Sequence, residues 1–328
     1  MAILVTGGAG YIGSHTVLEL LDAGEKPVVL DDLSTGFRWA VPEGVPLFIG
    51  DDGDEALIAD IIARHDIHAI IHFAARIVVP DSVADPLGYY LNNTAKARNL
   101  IAAAVAAGVK HFIFSSTAAV YGDPDELPVT EDATLRPVSP YGRSKLMVEW
   151  MLEDVARAHD FDYVVLRYFN VAGADPRGRS GQSTPNATHL IKVAAQTALG
   201  MRDRLQVFGT DYPTPDGTCI RDYIQVTDLA RAHLDALAHL RKGGGSLTAN
   251  CGYAHGFSVL EVIEAVKRVS GVDFRVDYAP RRPGDPAAIV ASNARAREIL
   301  GWTPKYDNLD EIVRQALDWE KRLAEGRA

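Results

Sequence analysis

Short apolar runs alternate with longer amphipathic stretches through the first half of the chain. Ile3-Leu4-Val5, Pro27 to Leu30, Leu47-Phe48-Ile49, Ala69 to Phe73, Phe112-Ile113-Phe114 and Tyr163 to Leu166 are short, apolar and rich in β-branched residues. They lack the alternation of a half-solvated strand, so they read as strands buried on both faces. Between them, residues 11–23, 54–65, 86–107 and 141–160 carry helical periodicity. Strand alternating with helix implies right-handed crossovers and a parallel, doubly wound α/β sheet.

The pattern changes after Asn170. Residues 171–188 are rich in Gly, Pro, Ser and Asn, as expected of a long functional loop. A second turn-rich stretch runs from Gly209 to Gly217. Helices are expected at about 189–200, 227–240, 258–269 and 308–324, with short strands between them. These elements suggest a smaller α+β lobe at the C-terminal edge of the sheet.

Composition narrows the function classes. The chain has 328 residues, 47% hydrophobic and 23% charged, enough for a large core. Its net charge of −10 argues against a nucleic-acid partner, which would need a basic surface. Cys219 and Cys251 are the two cysteines, so no disulfide framework or Cys-rich metal site is expected. The ten histidines form no metal-binding spacing. The chain begins on a strand pattern, with no signal-peptide pattern and no apolar run long enough to span a membrane. A soluble cytoplasmic protein is the expectation.

The strongest local signal is Ile3 to Gly13, where Gly7, Gly10 and Gly13 follow the first strand and open the first helix. A pyrophosphate needs close backbone, N–H groups aimed at it and a positive helix end, and side chains at these positions would block it. The alternative is a tight strand-to-helix turn with no ligand. Asp31 ends the second strand, 18 residues past Gly13 (31 − 13), where an acid accepts from ribose hydroxyls. With Asp32 beside it, its charge would repel a 2′-phosphate, which favours NAD over NADP. Asp31 also fits a plain turn-shaping role before Leu33-Ser34.

Tyr141 and Lys145 stand one helical turn apart on one face. Ionising a tyrosine at neutral pH costs roughly 4 kcal/mol, which a neighbouring ammonium and a positive nicotinamide ring can offset. Upstream, Phe114-Ser115-Ser116-Thr117 ends a strand in hydroxyls at the carboxyl edge of the sheet, where such folds bind ligands. Thr117 is placed to share a hydrogen bond with Tyr141 and a substrate oxygen, or else caps backbone.

Taken together, VTGGAGYIGSHT, HFAA, YYLNN, FSSTAAVYG, SPYGRSKLMVE, LRYFNVAGA, DYPTPDGTCIRDYI and APRRPGD resemble the extended short-chain dehydrogenase/reductase family and, within it, the UDP-galactose 4-epimerases. The resemblance covers nearly the whole chain. It implies a Rossmann-type domain over 1–170, with 220–253 returning to it, and a UDP-sugar-binding lobe made of 171–219 and 254–328. It implies a tightly held NAD, regenerated in each turnover, and inversion at the sugar 4-position through a 4-keto intermediate. Tyr141 would act as base and then acid, Lys145 would lower its pKa and hold the nicotinamide ribose, and Thr117 would orient the 4-oxygen.

The same resemblance implies cofactor contacts from Gly7, Gly10, Tyr11, Ile12 and Gly13, from Asp31, Asp32 and Asp51, and from Phe73, Ala74 and Ala75. Asn92, Ser115, Tyr141, Lys145 and Tyr168 complete that set. On the substrate side it implies Asn170, His189 and Leu190 near the diphosphate and uracil, with Arg221 and Arg282 as phosphate partners. Tyr223 would line that side and Asp285 would take a ribose hydroxyl. Surface ion pairs are the other reading of the arginines. Ala75, Ile77 and His189 depart from what some relatives carry. Ile289 occupies the pocket gate, where a smaller residue than Tyr leaves UDP-N-acetyl sugars open.

Ala118-Ala119 after Thr117 argue against related dehydratases and decarboxylases, which need an acid there. UDP-pentose and UDP-uronate 4-epimerases remain alternatives, as does a non-catalytic NAD-sensing scaffold. A homodimer through residues 91–107 and 141–156 is expected, with Leu146, Met147, Trp150 and Met151 supplying apolar surface.

Overall fold

The computed structural model describes residues 1–185, 187–282 and 285–326. The first half comprises β1 (Ala2–Thr6), α1 (Tyr11–Asp22), β2 (Pro27–Asp31), β3 (Leu47–Ile49), α2 (Glu55–His65) and β4 (Ile67–His72). Then come α3 (Val79–Ala84), α4 (Pro86–Tyr89), α5 (Lys96–Ala106), β5 (His111–Thr117), α6 (Pro140–Ala158), β6 (Asp162–Tyr168) and β7 (Asn170–Ala172). The rest comprises α7 (Leu190–Ala198), β8 (Leu205–Phe208), β9 (Ile220–Arg221), β10 (Tyr223–Gln225), α8 (Val226–Arg241) and β11 (Leu247–Cys251). It closes with β12 (Phe257–Ser258), α9 (Val259–Ser270), β13 (Val276–Ala279), β14 (Ala288–Ile289) and α10 (Leu309–Ala324).

Seven of these strands form one sheet in the order β11-β6-β5-β4-β1-β2-β3, and every pairing in it is parallel. Both faces are covered, which is why the strand sequences lack alternation. On β1, Ile3 and Val5 enter the core shared with α1 and α8, while Ala2 and Leu4 enter the core under α2, α5 and α6. The sheet holds a seventh strand, β11, beyond the six expected, and α8 packs on α1 beside this sheet instead of in the smaller lobe. The stretch read as one helix over 86–107 is α4 and α5 joined by a π-helical turn, Tyr90–Ala95, and α3 precedes it. The π turn sits where Asn93 is drawn inward to bond groups outside its helix.

The remaining strands form small sheets: β7 beside β10, β12-β9-β14, and β8 beside β13. α7, α9 and α10 pack on one another, and Ile191, Val262, Ile263, Ile312 and Val313 join the same core as α8. α9 starts on a capping box, Ser258 with Glu261, and ends at Gly271 in the left-handed region. None of the described helices is long and apolar enough to cross a membrane.

Candidate active site

Strand order reverses between β1 and β4, and the glycine turn sits at that switch point. Gly7 leaves β1 with φ +72° and donates its N–H to the Leu30 carbonyl at 2.9 Å. A Cβ on Gly7 would stand 2.6 Å from the Ala74 nitrogen, and one on Gly13 would stand 2.1 Å from the Gly7 carbonyl oxygen. Glycine is therefore required by backbone contact at both positions and by dihedral at the first. α1 follows with Gly10 as N-cap, no capping side chain and no acid in its first turn. Its first N–H groups and positive end are left for an anion.

Asp31 is buried at the end of β2, accepting from the Ala9 N–H at 2.9 Å and the Leu33 N–H at 2.8 Å. Burial pushes its pKa up, against those two hydrogen bonds. Among the described residues no cation pairs with it, so it suits ribose hydroxyls and disfavours a phosphate. Asp32 is exposed and accepts from the Ser34 N–H at 2.8 Å and the Ser34 hydroxyl at 2.6 Å, shaping the turn. Asp51 pairs with Lys96 at 2.8 Å and accepts from the Gly53 N–H at 2.8 Å. Its neighbour Asp52 has one carboxyl oxygen buried without a partner, and burial pushes this acid up to about 7.

The strand end at Phe73, Ala74 and Ala75 is half-buried, with the Phe73 ring 4.7 Å from His233. Asn92 is half-buried and donates to Asn93 at 3.1 Å. Asn93, which the sequence did not single out, accepts from the Arg76 N–H at 2.8 Å and donates to Ser144 at 3.0 Å. It latches the end of β4 to α6.

α6 starts beyond Ser139, whose hydroxyl accepts from the Gly142 N–H at 3.2 Å. A Cβ on Gly142 would lie 2.6 Å from the Ala119 carbonyl oxygen, so glycine lets α6 close on the turn after β5. That closure brings Tyr141 to the Thr117 side of the turn and sets Lys145 one turn further along α6, its ammonium 4.6 Å over the Phe114 ring. All three are buried. Ser115 donates to the Tyr168 hydroxyl at 3.0 Å.

Burial drives Tyr141 well above the ordinary tyrosine range, with the nearby Thr117 hydroxyl acting the other way. Tyr168 is pushed up to about 12 by burial. Lys145 is pulled down to about 7 by burial, opposed by Glu149 and Asp52. Among the protein groups alone, dehydration dominates Tyr141.

A cleft of about 470 Å³, including its open mouth, is lined by Tyr11, Asn170, Gly173, His189, Leu190 and Tyr223, among others. Asn170 is fixed by its N–H to the Asp222 carbonyl at 2.9 Å. His189 is the exposed N-cap residue of α7, and Leu190 opens that helix. Arg221 is mostly buried and lies 3.9 Å from Asp285, while Ile289 pairs with Arg221 in β-register. Ile289 is buried with Ala118, Phe169 and Leu146, close to the Thr117 turn. The Arg282 guanidinium rests 3.8 Å over the Phe208 ring, a residue that the reading of the sequence had missed. A lone aromatic at the end of a short strand carries no motif that would find it.

The loop after β7 lies on the start of α1. Tyr11 donates to the Gly173 carbonyl at 2.7 Å, Ser14 and Ser180 share a hydrogen bond of 2.9 Å, and His15 meets the Ser180 carbonyl at 3.1 Å. Among the described residues no group of histidines, cysteines and acids could hold a metal.

The family model described as "NAD dependent epimerase/dehydratase family" matches residues 3–252. A UDP-glucose 4-epimerase of Azospirillum brasilense is 58% identical, with 98% of this chain and 92% of that protein covered. A UDP-glucose 4-epimerase from Brucella ovis, solved in complex with NAD, superposes with a TM-score of 0.94 at 45% identity, covering 97% of each chain. A UDP-Glc/GlcNAc 4-epimerase from Campylobacter jejuni superposes with a TM-score of 0.86 at 50% identity, covering 98% of this chain and 99% of that one. On these likenesses the chain belongs to the NAD dependent epimerase/dehydratase family.

Proposed function

We propose that this chain is an isomerase that interconverts UDP-glucose and UDP-galactose by inversion at the sugar 4-position, with NAD as its resident cofactor. The observation that carries this reading is that Thr117, Tyr141 and Lys145 close together at the same sheet edge as the glycine turn, beside a cleft lined by Asn170, Leu190 and Tyr223.

The cradle fits NAD. Gly7, Gly10 and Gly13 with the uncapped start of α1 take the pyrophosphate, and Asp31 takes the ribose hydroxyls. Held there, NAD would supply the hydride acceptor for the sugar 4-carbon and, once reduced, the hydride donor for its return. Tyr141 removes the proton from the 4-hydroxyl, Thr117 orients that oxygen, and Lys145 brings positive charge beneath both. The 4-keto sugar then turns on its diphosphate linkage to present the other face of its 4-carbon to the returning hydride, and Tyr141 gives the proton back to the 4-oxygen. This needs a firm hold on UDP and a loose one on the hexose. Arg221, Arg282 and Asp285 hold the UDP together with Asn170. The loop over α1 favours a cofactor retained between turnovers.

Ile289, smaller than tyrosine and buried beside the Thr117 turn, favours a pocket that also admits UDP-N-acetyl sugars. We further propose a cytoplasmic homodimer. Its free buried cysteines, Cys219 and Cys251, fit a reducing compartment. Leu91 on the π turn and Met147 and Trp150 on α6 leave apolar surface on neighbouring helices, whereas Leu146 is spent in the core.

Turnover of UDP-glucose and of UDP-N-acetylglucosamine by the purified protein tests the reading, with Tyr141→Phe as control. UDP-galactose should form, and Tyr141→Phe should lose at least about a hundredfold in kcat with little change in KM. Wild type and variant equally inactive on every UDP-sugar would sink it. No product from the N-acetyl substrate would remove only the wider scope.

A further inference from the structure

Below the Tyr141–Lys145 pair the same helix face carries a third ionisable group. Glu149 lies one turn past Lys145, at the i+8 position of the stripe that Tyr141 begins and Lys145 continues at i+4. It is buried, and it holds the ends of two strands. Ser116, the residue before Thr117, donates to one carboxylate oxygen at 2.5 Å. Arg167, the residue before Tyr168, forks onto the carboxylate, with Nη2 at 2.7 Å from one oxygen and Nε at 3.2 Å from each. Arg167 is tied on by donating to the Tyr121 hydroxyl at 3.0 Å, and Tyr121 donates to Asn250 at 2.7 Å. This network clamps α6 to β5 and β6 beside the residues whose hydroxyls meet the reacting groups.

We propose that Glu149 is a positioning residue for the Tyr141–Lys145 pair: it fixes α6 against Thr117 and supplies the negative charge that keeps Lys145 an ammonium in a buried site. The proposal rests on the reading of Tyr141 as the proton-transfer group. Lys145 is held down to about 7 by burial, and Glu149 is the largest influence opposing that fall. Asp52, from the loop after β3, acts in the same direction, whereas Lys145 in turn lowers His72 on β4. Facing Glu149 itself are Arg167 on β6, Ser116 on β5 and the Tyr121 and Tyr163 phenols. Among the described residues no carboxylate forms an ion pair with Lys145, so Glu149 acts across the helix turn.

The test is the pH profile of kcat and KM for wild type, Glu149→Gln and the double variant Glu149→Gln/Arg167→Gln. The double variant removes both charges and leaves no unpaired buried guanidinium, should the single variant fold poorly. Loss of the carboxylate should move the alkaline limb of kcat down by about one pH unit or more, with KM for UDP-glucose within about twofold. A lower melting temperature with kcat reduced equally at every pH, and the limb unmoved, would overturn the proposal and leave Glu149 a structural ion pair. Inactive wild type would instead remove the reading on which it rests.

Discussion

Gly13 and Gly24 separate two reasons for a glycine. Gly24 has φ +78° with open space around its would-be Cβ, so a side chain there would cost only dihedral strain. At Gly13 the obstacle is the Gly7 carbonyl, and Gly7 is itself pinned by its N–H to Leu30. Gly13→Ala should therefore push the turn apart where the pyrophosphate is to sit. The purified variant should carry less than about a tenth of the wild-type NAD, an effect equivalent to 1.4 kcal/mol or more, while Gly24→Ala should keep it. Acid release and quantitation of the cofactor checks this; full NAD content in Gly13→Ala would contradict the assigned role. The glycines and Tyr141–Lys145 were legible in the sequence because their spacing is local. Asp52, Asn93 and Phe208 were not, since each acquires its role from a residue brought in by another element.

At the scale of elements, α6 serves two surfaces. One face buries Tyr141, Lys145 and Glu149 against the sheet, and the other shows Trp150 at 53% exposure. Leu91, on the neighbouring π turn, is 63% exposed. Such a patch on paired helices is the kind of surface that a second copy would cover. Trp150→Glu should shift sedimentation towards monomer and raise the dimer dissociation constant about a hundredfold, the worth of one buried tryptophan anchor. The side chain is half-exposed in the single chain, so the melting profile at low concentration should change little. An unchanged sedimentation coefficient would place the interface elsewhere. The helical periodicity of 86–107 was readable, but its π turn and the preceding α3 were not, because Asn93 sets that irregularity through contacts with Arg76 and Ser144.

Over the whole molecule, three histidines are buried in or beside the cofactor-binding half: His15 on α1, His72 on β4 and His233 on α8. Burial pulls them down to about 4, about 3 and about 4. Unfolded, each would titrate near 6.5, so between that pH and about 4 the unfolded chain binds more protons than the native one. Asp52 and Asp222, pushed up to about 7 and about 6 by burial, take up protons in the native state over the same range and offset most of this. Stability should accordingly fall as pH drops through that window, by on the order of 1 kcal/mol per pH unit. Urea midpoints at neutral pH and near pH 5 would show it, and a midpoint independent of pH would contradict it. The sequence by itself determined the parallel sheet, the glycine turn at its switch point and the Tyr141–Lys145 stripe, because buried runs, helical spacing and a strand-to-helix turn are written in contiguous residues. Tertiary structure decided that Asp31 lies buried without a cation, that Glu149 and Arg167 lock α6 to two strands, and that dehydration dominates Tyr141. Each of these depends on what surrounds a charge in space, and only the folded chain assembles those surroundings.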